Sequence, residues 1–218
     1  ARWPARIAVF TNLTHDHLDR HRTPERYLAA KAQLFVKLPP AGVAVLNAAD
    51  PASALLAEVL PPHATCMGFV ARAGVEPVAN VSVALACARA ECDEHGTRIA
   101  LADSAFAAEL DHALQLRVPG EFQADNALAA AVAARAAGFS AAAIRRGLAD
   151  FRGVPGRFEV CSREPLVLVD FAHTPDALVR VLQAARALVR GGGQLGCVFG
   201  CGGERDTEKR VRMGELAD

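Results

Sequence analysis

The sequence predicts an α/β protein with a mostly parallel sheet and a smaller antiparallel patch. Short apolar runs that end in polar residues alternate with amphipathic segments, as buried parallel strands alternate with helices. Between residues 65 and 118 the pattern changes to strand-like pieces around a short EHGT turn at 94–97, which predicts an antiparallel or mixed patch at one edge of the sheet. A segment rich in glycine and proline at 151–160 is the best candidate for a linker between two parts.

The first part begins with the apolar run IAVFTN, and a Thr23-Pro24 pair then marks a helix start. Gly138 is expected to end an alanine-rich helix, and Ser140 to cap the next one. The predicted elements are, in order, a strand at 6–11, a helix from Thr23 to about Phe35, a strand at 43–47, a helix at 52–60, strand-like pieces at 81–90, 97–103 and 112–118, and helices that start near Asn126 and at Ser140.

After the linker the sequence predicts a strand at 166–171, a helix at 175–190, a strand at 194–200 and a helix from 206 onward. This order is typical of a right-handed crossover unit in an open α/β sheet. The first strand begins almost at residue 1 and the last helix is still running at residue 218, so we expect the chain to be part of something longer.

Composition excludes several classes of protein. Hydrophobic residues make up 52% and charged residues 22%, which is typical of a globular chain. Lysine plus arginine and aspartate plus glutamate both number 24, so no general charge argument favours nucleic acid or a membrane surface as partner. No apolar run approaches the roughly 18 residues that a membrane span needs. The six scattered cysteines are expected to be reduced thiols of a cytoplasmic protein.

Four polar loops follow predicted strands, namely THDHLDRH, NAAD, DFAHTPD and GCGGERD. In open α/β sheets ligands bind outside the carboxyl ends of the strands, so these loops predict an active site. Each loop also has a simpler interpretation as a helix cap or a glycine turn. Asp170 can accept hydrogen bonds from ribose hydroxyls, and the glycines of GCGGERD can bring backbone N–H groups and Arg205 to an anion.

Lys31 stands on the same face of its predicted helix as four apolar side chains. One interpretation is that its ammonium group reaches the surface along its own stem. The other is that burial favours the neutral amine, which can add carbon dioxide to give an anionic carbamate with hard oxygens for Mg²⁺. The apolar side chains of this face are Tyr27, Leu28, Leu34 and Phe35.

Taken together, the motifs resemble the Mur ligases. The motifs that carry the resemblance occur in the family's order between residues 6 and 214, and they are FTNLTHDHLDRH, YLAAKAQLF, GEFQADNALAA, GVPGRFEV, VDFAHTPDAL and VFGCGGERDTEKR. The resemblance implies an enzyme of three domains, of which residues 1–157 form the C-terminal part of the central ATP-binding domain. Residues 158–218 would then begin a Rossmann-like C-terminal domain that binds the incoming amino acid.

The resemblance also implies the chemistry. ATP would phosphorylate a carboxylate of a UDP-N-acetylmuramoyl dipeptide, and a diamino acid, with meso-diaminopimelate favoured over lysine, would attack the acyl phosphate. Mg²⁺ would serve as cofactor, and the full-length enzyme would be cytoplasmic and monomeric. Residue by residue, the resemblance implies that Lys31 matches a carbamylated lysine and His17 a magnesium ligand. Asn126 and Arg157 match contacts to the adenine nucleotide, Asp170 matches the contact to the ribose, and His173 lies in the same nucleotide loop. Arg205 matches a contact to the diamino acid.

The sequence departs from the family pattern at two positions, with Phe171 where tyrosine is frequent and Gln123 where asparagine is common. No G-x-x-x-x-G-K-[ST] phosphate loop occurs, so we expect that loop upstream and the chain by itself to be inactive. Three alternatives stay open. They are a folylpolyglutamate synthase-like ligase, a metal-dependent hydrolase that uses the DHLDRH loop, and a nucleotide-binding module without catalysis.

Overall fold

The computed structural model describes residues 5–13, 22–201 and 208–217. Its main feature is a six-stranded sheet in the order β1-β2-β3-β4-β5-β6, followed by a separate two-stranded sheet, β7-β8. The strands are β1 (Ile7–Phe10), β2 (Val43–Asn47), β3 (Thr65–Val70), β4 (Val83–Asp93), β5 (Gly96–Leu101), β6 (Ala113–Leu116), β7 (Glu159–Arg163) and β8 (Leu166–Val169). The helices are α1 (Pro24–Val36), α2 (Ala52–Glu58), α3 (Ala105–Glu109), α4 (Gln123–Ala136), α5 (Ala141–Asp150), α6 (Pro175–Leu188) and α7 (Glu208–Ala217).

Strands β1 to β4 pair in parallel, and β4, β5 and β6 pair antiparallel. The tight turn between β4 and β5 lies where EHGT predicted it, with one carboxylate oxygen of Asp93 accepting from the backbone N–H groups of His95 and Gly96. The predicted fold class, a mostly parallel sheet with an antiparallel patch, is confirmed.

Strand β2, inside the parallel part of the sheet, is covered on both faces, which explains its continuous apolar sequence. On β2, Val45 belongs to one apolar cluster and Leu46 to the other. The first cluster contains Leu128 of α4, and the second contains Phe35 of α1 and Leu56 of α2. Because neighbouring residues of a strand point to opposite faces, α4 lies on one side of the sheet and α1 with α2 on the other.

Side-chain caps fix three helix starts that the sequence predicted. The hydroxyl oxygen of each capping residue accepts from a backbone N–H three positions later, at 3.3 Å in every case. The capping residues are Thr23 for α1, Ser140 for α5 and Thr174 for α6.

One strand was not predicted, and one predicted strand is wrong. The run TCMGFV, within the segment expected to form an antiparallel or mixed patch, forms β3 and pairs in parallel with β2. The predicted strand at 194–200 forms no strand, and the side chain of Val198 is fully exposed. β8 instead pairs antiparallel with β7, which lies partly inside the predicted linker. An apolar run becomes a strand only where another strand lies beside it, and the sequence does not show its neighbour.

No helix among the described residues is long and apolar enough to cross a membrane.

Candidate active site

A cavity of about 720 Å³ opens at the carboxyl ends of β1 and β2. Its wall continues through the start of α4, the segment before β7 and the end of β8 to the first turns of α6. Three of the predicted nucleotide-binding residues meet in this cavity although they lie far apart in the sequence, and they are Asn126, Arg157 and Asp170.

Asp170 is held in place by two backbone groups. One carboxylate oxygen accepts a 2.7 Å hydrogen bond from the N–H of Phe158, and the other accepts a 2.7 Å bond from the N–H of Ala172. Each carboxylate oxygen has a second lone pair. The carboxylate is therefore oriented by the protein and can still accept hydrogen bonds from hydroxyl groups of a ligand.

Arg157 lies beside an aromatic ring rather than an acid. Its guanidinium carbon is 4.9 Å from the ring centroid of Phe171, a distance typical of a cation–π contact. Phe171 in turn makes an edge contact with the His173 ring, with centroids 5.2 Å apart. His173 is exposed and does not line the cavity, so the structure separates it from the other three predicted nucleotide residues.

Asn126 lies in the first turn of α4, where its side-chain amide donates to Oε1 of Gln123 at 3.1 Å. Gln123 is buried, so it orients the Asn126 amide at the edge of the cavity. Gln123 is one of the two positions at which the sequence departs from the family pattern, and here it holds the Asn126 side chain in position.

The NAAD loop is a support for the cavity. Asn47 donates from its side chain to the carbonyl of Thr11 at 2.8 Å. The two carboxylate oxygens of Asp50 accept from the N–H groups of Leu13 and Ala52, each at 2.9 Å. The side chains of Asn47 and Asp50, after β2, thus bond to the backbone of Thr11 and Leu13, after β1, and tie the two loops together.

Three charged residues of the cavity were not predicted. Burial raises the pKa of the Asp125 carboxyl, and the positive charges of Arg72 and Arg180 oppose that shift. Arg72 follows β3, and because that strand was not predicted, Arg72 was not recognised as a residue at a strand end. Asp125 lies in the GEFQADN motif, and its position directly before the predicted nucleotide contact Asn126 could have marked it as a candidate site residue.

Lys31 lies on a helix face that is partly buried and partly exposed. Within its apolar face Phe35 is buried, whereas Leu34 is 41% exposed and Lys31 itself is half-buried. The Lys31 ammonium lies 4.9 Å from the ring centroid of Tyr27. The helix face is thus only partly covered by the described residues, and the choice between the two interpretations of Lys31 stays a prediction.

The predicted magnesium ligand His17 and the predicted amino-acid contact Arg205 lie outside the described residues. Within the described residues no group of three or more histidine, cysteine, aspartate or glutamate side chains is arranged to hold a metal ion. Both oxygens of Asp50 accept from backbone N–H groups, and Lys31 does not line the cavity. The described residues alone therefore form no complete magnesium centre, and with His17 outside them the magnesium site stays a prediction.

Comparison with known families now defines the class of protein. Residues 2–134 match the Mur ligase middle domain, and residues 156–218 match the Mur ligase, glutamate ligase domain. The chain belongs to the Mur ligase family.

Among its relatives is the UDP-N-acetylmuramoyl-L-alanyl-D-glutamate--2,6-diaminopimelate ligase of Thermosynechococcus vestitus, 39% identical over 215 residues. The protein of the same name from Gloeobacter violaceus is 42% identical over 213 residues. These matches cover 97% and 96% of this chain, and 40% of each relative. The chain thus spans about two fifths of the length of the relatives it matches.

Solved structures of two proteins are similar to this chain in fold. A structure of a UDP-N-acetylmuramoyl-L-alanyl-D-glutamate--2,6-diaminopimelate ligase matches with a TM-score of 0.66 and 33% identity, over 97% of this chain and 41% of that one. A point mutant of L. casei FPGS matches with a TM-score of 0.67 but 20% identity, over 98% of this chain and 48% of that one. At that identity the likeness concerns the fold alone.

Proposed function

We propose that this chain carries the nucleotide-binding part of an ATP-dependent acid–amino-acid ligase of peptidoglycan synthesis. The reaction would join a diamino acid, meso-diaminopimelate, to UDP-N-acetylmuramoyl-L-alanyl-D-glutamate through an acyl phosphate. The observation that carries the proposal is the meeting of Asn126, Arg157 and Asp170 in one cavity. The names of relatives that are about 40% identical support the substrate.

Each of the three side chains suits a different part of a nucleotide. The fixed carboxylate of Asp170 would accept from ribose hydroxyls, as acidic residues do in α/β nucleotide sites. The guanidinium of Arg157 would pair with a phosphate, for which its planar fork is well shaped. Asn126 would present its amide to the base. The charge-assisted bonds among these contacts are the strongest, so Arg157 and Asp170 should contribute most to affinity.

The remaining predicted residues complete the proposal. Bound Mg²⁺ would neutralise negative charge on the phosphates during transfer. His17 and a carbamylated Lys31 would hold it, and Arg205 would meet the carboxylate of the diamino acid. The role of this chain would be to bind and orient ATP so that the substrate carboxylate can attack the terminal phosphate.

We further propose that residues 1–157 belong to the central ATP-binding domain and residues 158–218 to the C-terminal domain, with the cavity wall contributed by both. The full-length enzyme would be cytoplasmic and monomeric, and would bind neither nucleic acid nor a membrane.

The test is equilibrium binding of ATP to the 218-residue chain, measured by calorimetry with and without Mg²⁺. We expect Arg157→Ala to weaken ATP binding by about tenfold and Asn126→Ala to weaken it by about threefold. Asn80→Ala is the matched control, because Asn80 is an exposed asparagine whose side chain donates to the carbonyl of Ala54 outside the cavity. If Asn126→Ala and Arg157→Ala bind ATP with the same affinity as the Asn80→Ala control, the nucleotide site is rejected.

Activity is tested in a chimera in which this chain replaces the matching segment of the Thermosynechococcus vestitus relative. Phosphate release that depends on both the UDP-linked dipeptide and diaminopimelate is the expected result. A chimera that binds ATP but releases phosphate only with another acceptor would reject the proposed substrate and leave the nucleotide site standing.

A further inference from the structure

A second cavity, of about 320 Å³, lies next to the candidate nucleotide site and is lined by four arginines. They come from three places, directly after β6, the segment before β7, and β7 itself, and they are Arg117, Arg152, Arg157 and Arg163. Glu159 is the one acidic residue in its wall among the described residues. All four side chains are exposed, so solvent screens part of their mutual repulsion, and an anion bound between them would remove more of it.

Internal partners account for little of this charge. Arg117 lies 3.4 Å from the carboxylate of Asp150, and both side chains are mostly exposed. Arg163 donates to the backbone carbonyl of Glu94, which is a neutral group. Arg152 forms no ion pair or side-chain hydrogen bond within the described part of the chain.

The other two charged groups of the wall do not neutralise each other. Arg157 lies against the ring of Phe171. The Glu159 carboxylate accepts from the backbone N–H of Gly156 at 2.7 Å and pairs with no arginine within the described residues. Positive charge in the cavity is therefore in excess.

The two cavities adjoin, because Arg157 and Val154 line both of them. Arg152 and Arg163 line the second cavity alone. This division separates the groups that would face a nucleotide from those that would face a different ligand.

We propose that the second cavity binds a multiply charged phosphate oxyanion, of which inorganic pyrophosphate is the simplest probe. Guanidinium groups bind phosphate oxygens through paired N–H donors, and several groups from different segments can surround one anion. A cavity of one sign also concentrates such anions from solution. The proposal does not depend on the nucleotide function of the neighbouring cavity.

The first test uses the unaltered chain. Arginine side chains are modified with phenylglyoxal, with or without pyrophosphate at constant ionic strength, and the modified peptides are measured by mass spectrometry. Pyrophosphate is expected to protect Arg152 and Arg163 but not Arg146. Arg146 is the matched control, because it lines a different cavity, between α5 and the edge of the sheet, and has no ion pair among the described residues.

Equal protection of all three arginines would show only charge screening and would overturn the proposal, as would no protection at all. Protection of Arg152 and Arg163 by ATP but not by pyrophosphate would also overturn it. That result would assign the arginines to the phosphate tail of a nucleotide seated in the neighbouring cavity.

The second test measures affinity. The double variant Arg152→Gln/Arg163→Gln should bind pyrophosphate at least about tenfold more weakly, since each lost charge-assisted contact costs more than a neutral hydrogen bond. Arg146→Gln should bind it as the unaltered chain does. Pyrophosphate affinity that is unchanged in the double variant would reject the site.

Discussion

The carboxylate of Asp170, just after β8, accepts a 2.7 Å hydrogen bond from the backbone N–H of Phe158, just before β7. Phe158 is 1% exposed and has a φ of 50°, in the left-handed region that a phenylalanine seldom adopts. Its ring makes an edge contact with that of Phe122, with centroids 5.4 Å apart. Asp170 therefore holds a strained segment in place, and that segment carries Arg157.

Asp170→Asn should lower both stability and ATP affinity. The amide has one acceptor oxygen where the carboxylate has two, so one of the two backbone N–H groups loses its partner. We expect the free energy of unfolding in urea to fall by about 1–2 kcal/mol, and ATP to bind about tenfold more weakly. Asp103→Asn is the control, because the Asp103 side chain is 95% exposed. A loss of stability without a change in ATP affinity would leave Asp170 a structural residue only.

Phe171→Ala should weaken ATP binding through its effect on Arg157. The ring supports the guanidinium at 4.9 Å, and an exposed cation–π contact contributes about 0.5–1 kcal/mol. We therefore expect ATP affinity to fall about two- to fivefold. Phe171→Tyr keeps the ring and should keep the affinity.

Phe139→Ala is the matched control for that experiment, because the exposed fractions of Phe139 and Phe171 are 58% and 62%. Phe139 lies by a separate cavity between α4 and α5. Equal affinities for Phe171→Ala and the unaltered chain would show that Arg157 does not need the ring.

Asp125→Asn should raise the stability of the chain near neutral pH. Burial raises the pKa of the Asp125 carboxyl above its ordinary value of 3.8, so the folded state binds its proton more tightly than the unfolded state does. The free-energy cost of ionising Asp125 in the folded chain is absent below the ordinary pKa, grows as the pH rises through the folded-state pKa, and is complete above that pKa. The gain in free energy of unfolding should therefore be larger at about pH 7 than at about pH 4.5.

The same variant should bind ATP about two- to fivefold more tightly, because a negative charge leaves the cavity. Glu121→Gln is the control, since Glu121 is exposed and does not line the cavity. A stability gain that is the same at both pH values would mean that Asp125 acts through packing rather than through its charge.

The first sheet could largely be predicted from sequence, because its strands are short apolar runs with polar ends. VAVLN forms β2 over the predicted residues, and the caps at Thr23 and Ser140 lie where the side chains indicated. Strand β3 was missed because TCMGFV precedes an antiparallel region and has no helix directly after it. The run at 194–200 was overpredicted, since apolar character alone does not supply a neighbouring strand.

The site was predictable in its motifs but not in its assembly. Asn126, Arg157 and Asp170 were found by family resemblance, and their meeting depends on how the second sheet packs. Asp125 and Arg180 were missed because each is an ordinary helix residue in sequence. Whether a charged side chain faces a cavity or solvent depends on the element opposite to it, which local sequence does not contain.

Carbamylation of Lys31 can be tested directly. With ¹³C-labelled bicarbonate, we expect a carbamate signal in the NMR spectrum of the chimera with the Thermosynechococcus vestitus relative that is lost in Lys31→Arg and kept in Lys37→Arg. Lys37 is the control because it is exposed at the end of the same helix. The ring of Tyr27 stabilises the ammonium form, so Tyr27→Leu should strengthen the signal. A signal that is insensitive to Lys31→Arg would reject the modification.

The last prediction is that the 218-residue chain binds ATP without catalysing ligation. The sequence contains no G-x-x-x-x-G-K-[ST] segment, whose backbone N–H groups and lysine hold the β- and γ-phosphates in phosphate-loop enzymes. The chain also spans 40% of its Thermosynechococcus vestitus relative. Oriented binding of the reacting groups contributes about 7–11 kcal/mol in favourable cases, so loss of part of that orientation should be severe.

The measurement is phosphate release by the purified chain with ATP, Mg²⁺, the UDP-linked dipeptide and diaminopimelate. We expect turnover at least about a thousandfold below that of the Thermosynechococcus vestitus relative assayed alongside it. ATP binding in the same preparation serves as the control, because it shows that the chain is folded and its cavity accessible. Turnover within about tenfold of the relative would mean that residues of this chain alone can hold the phosphates for transfer.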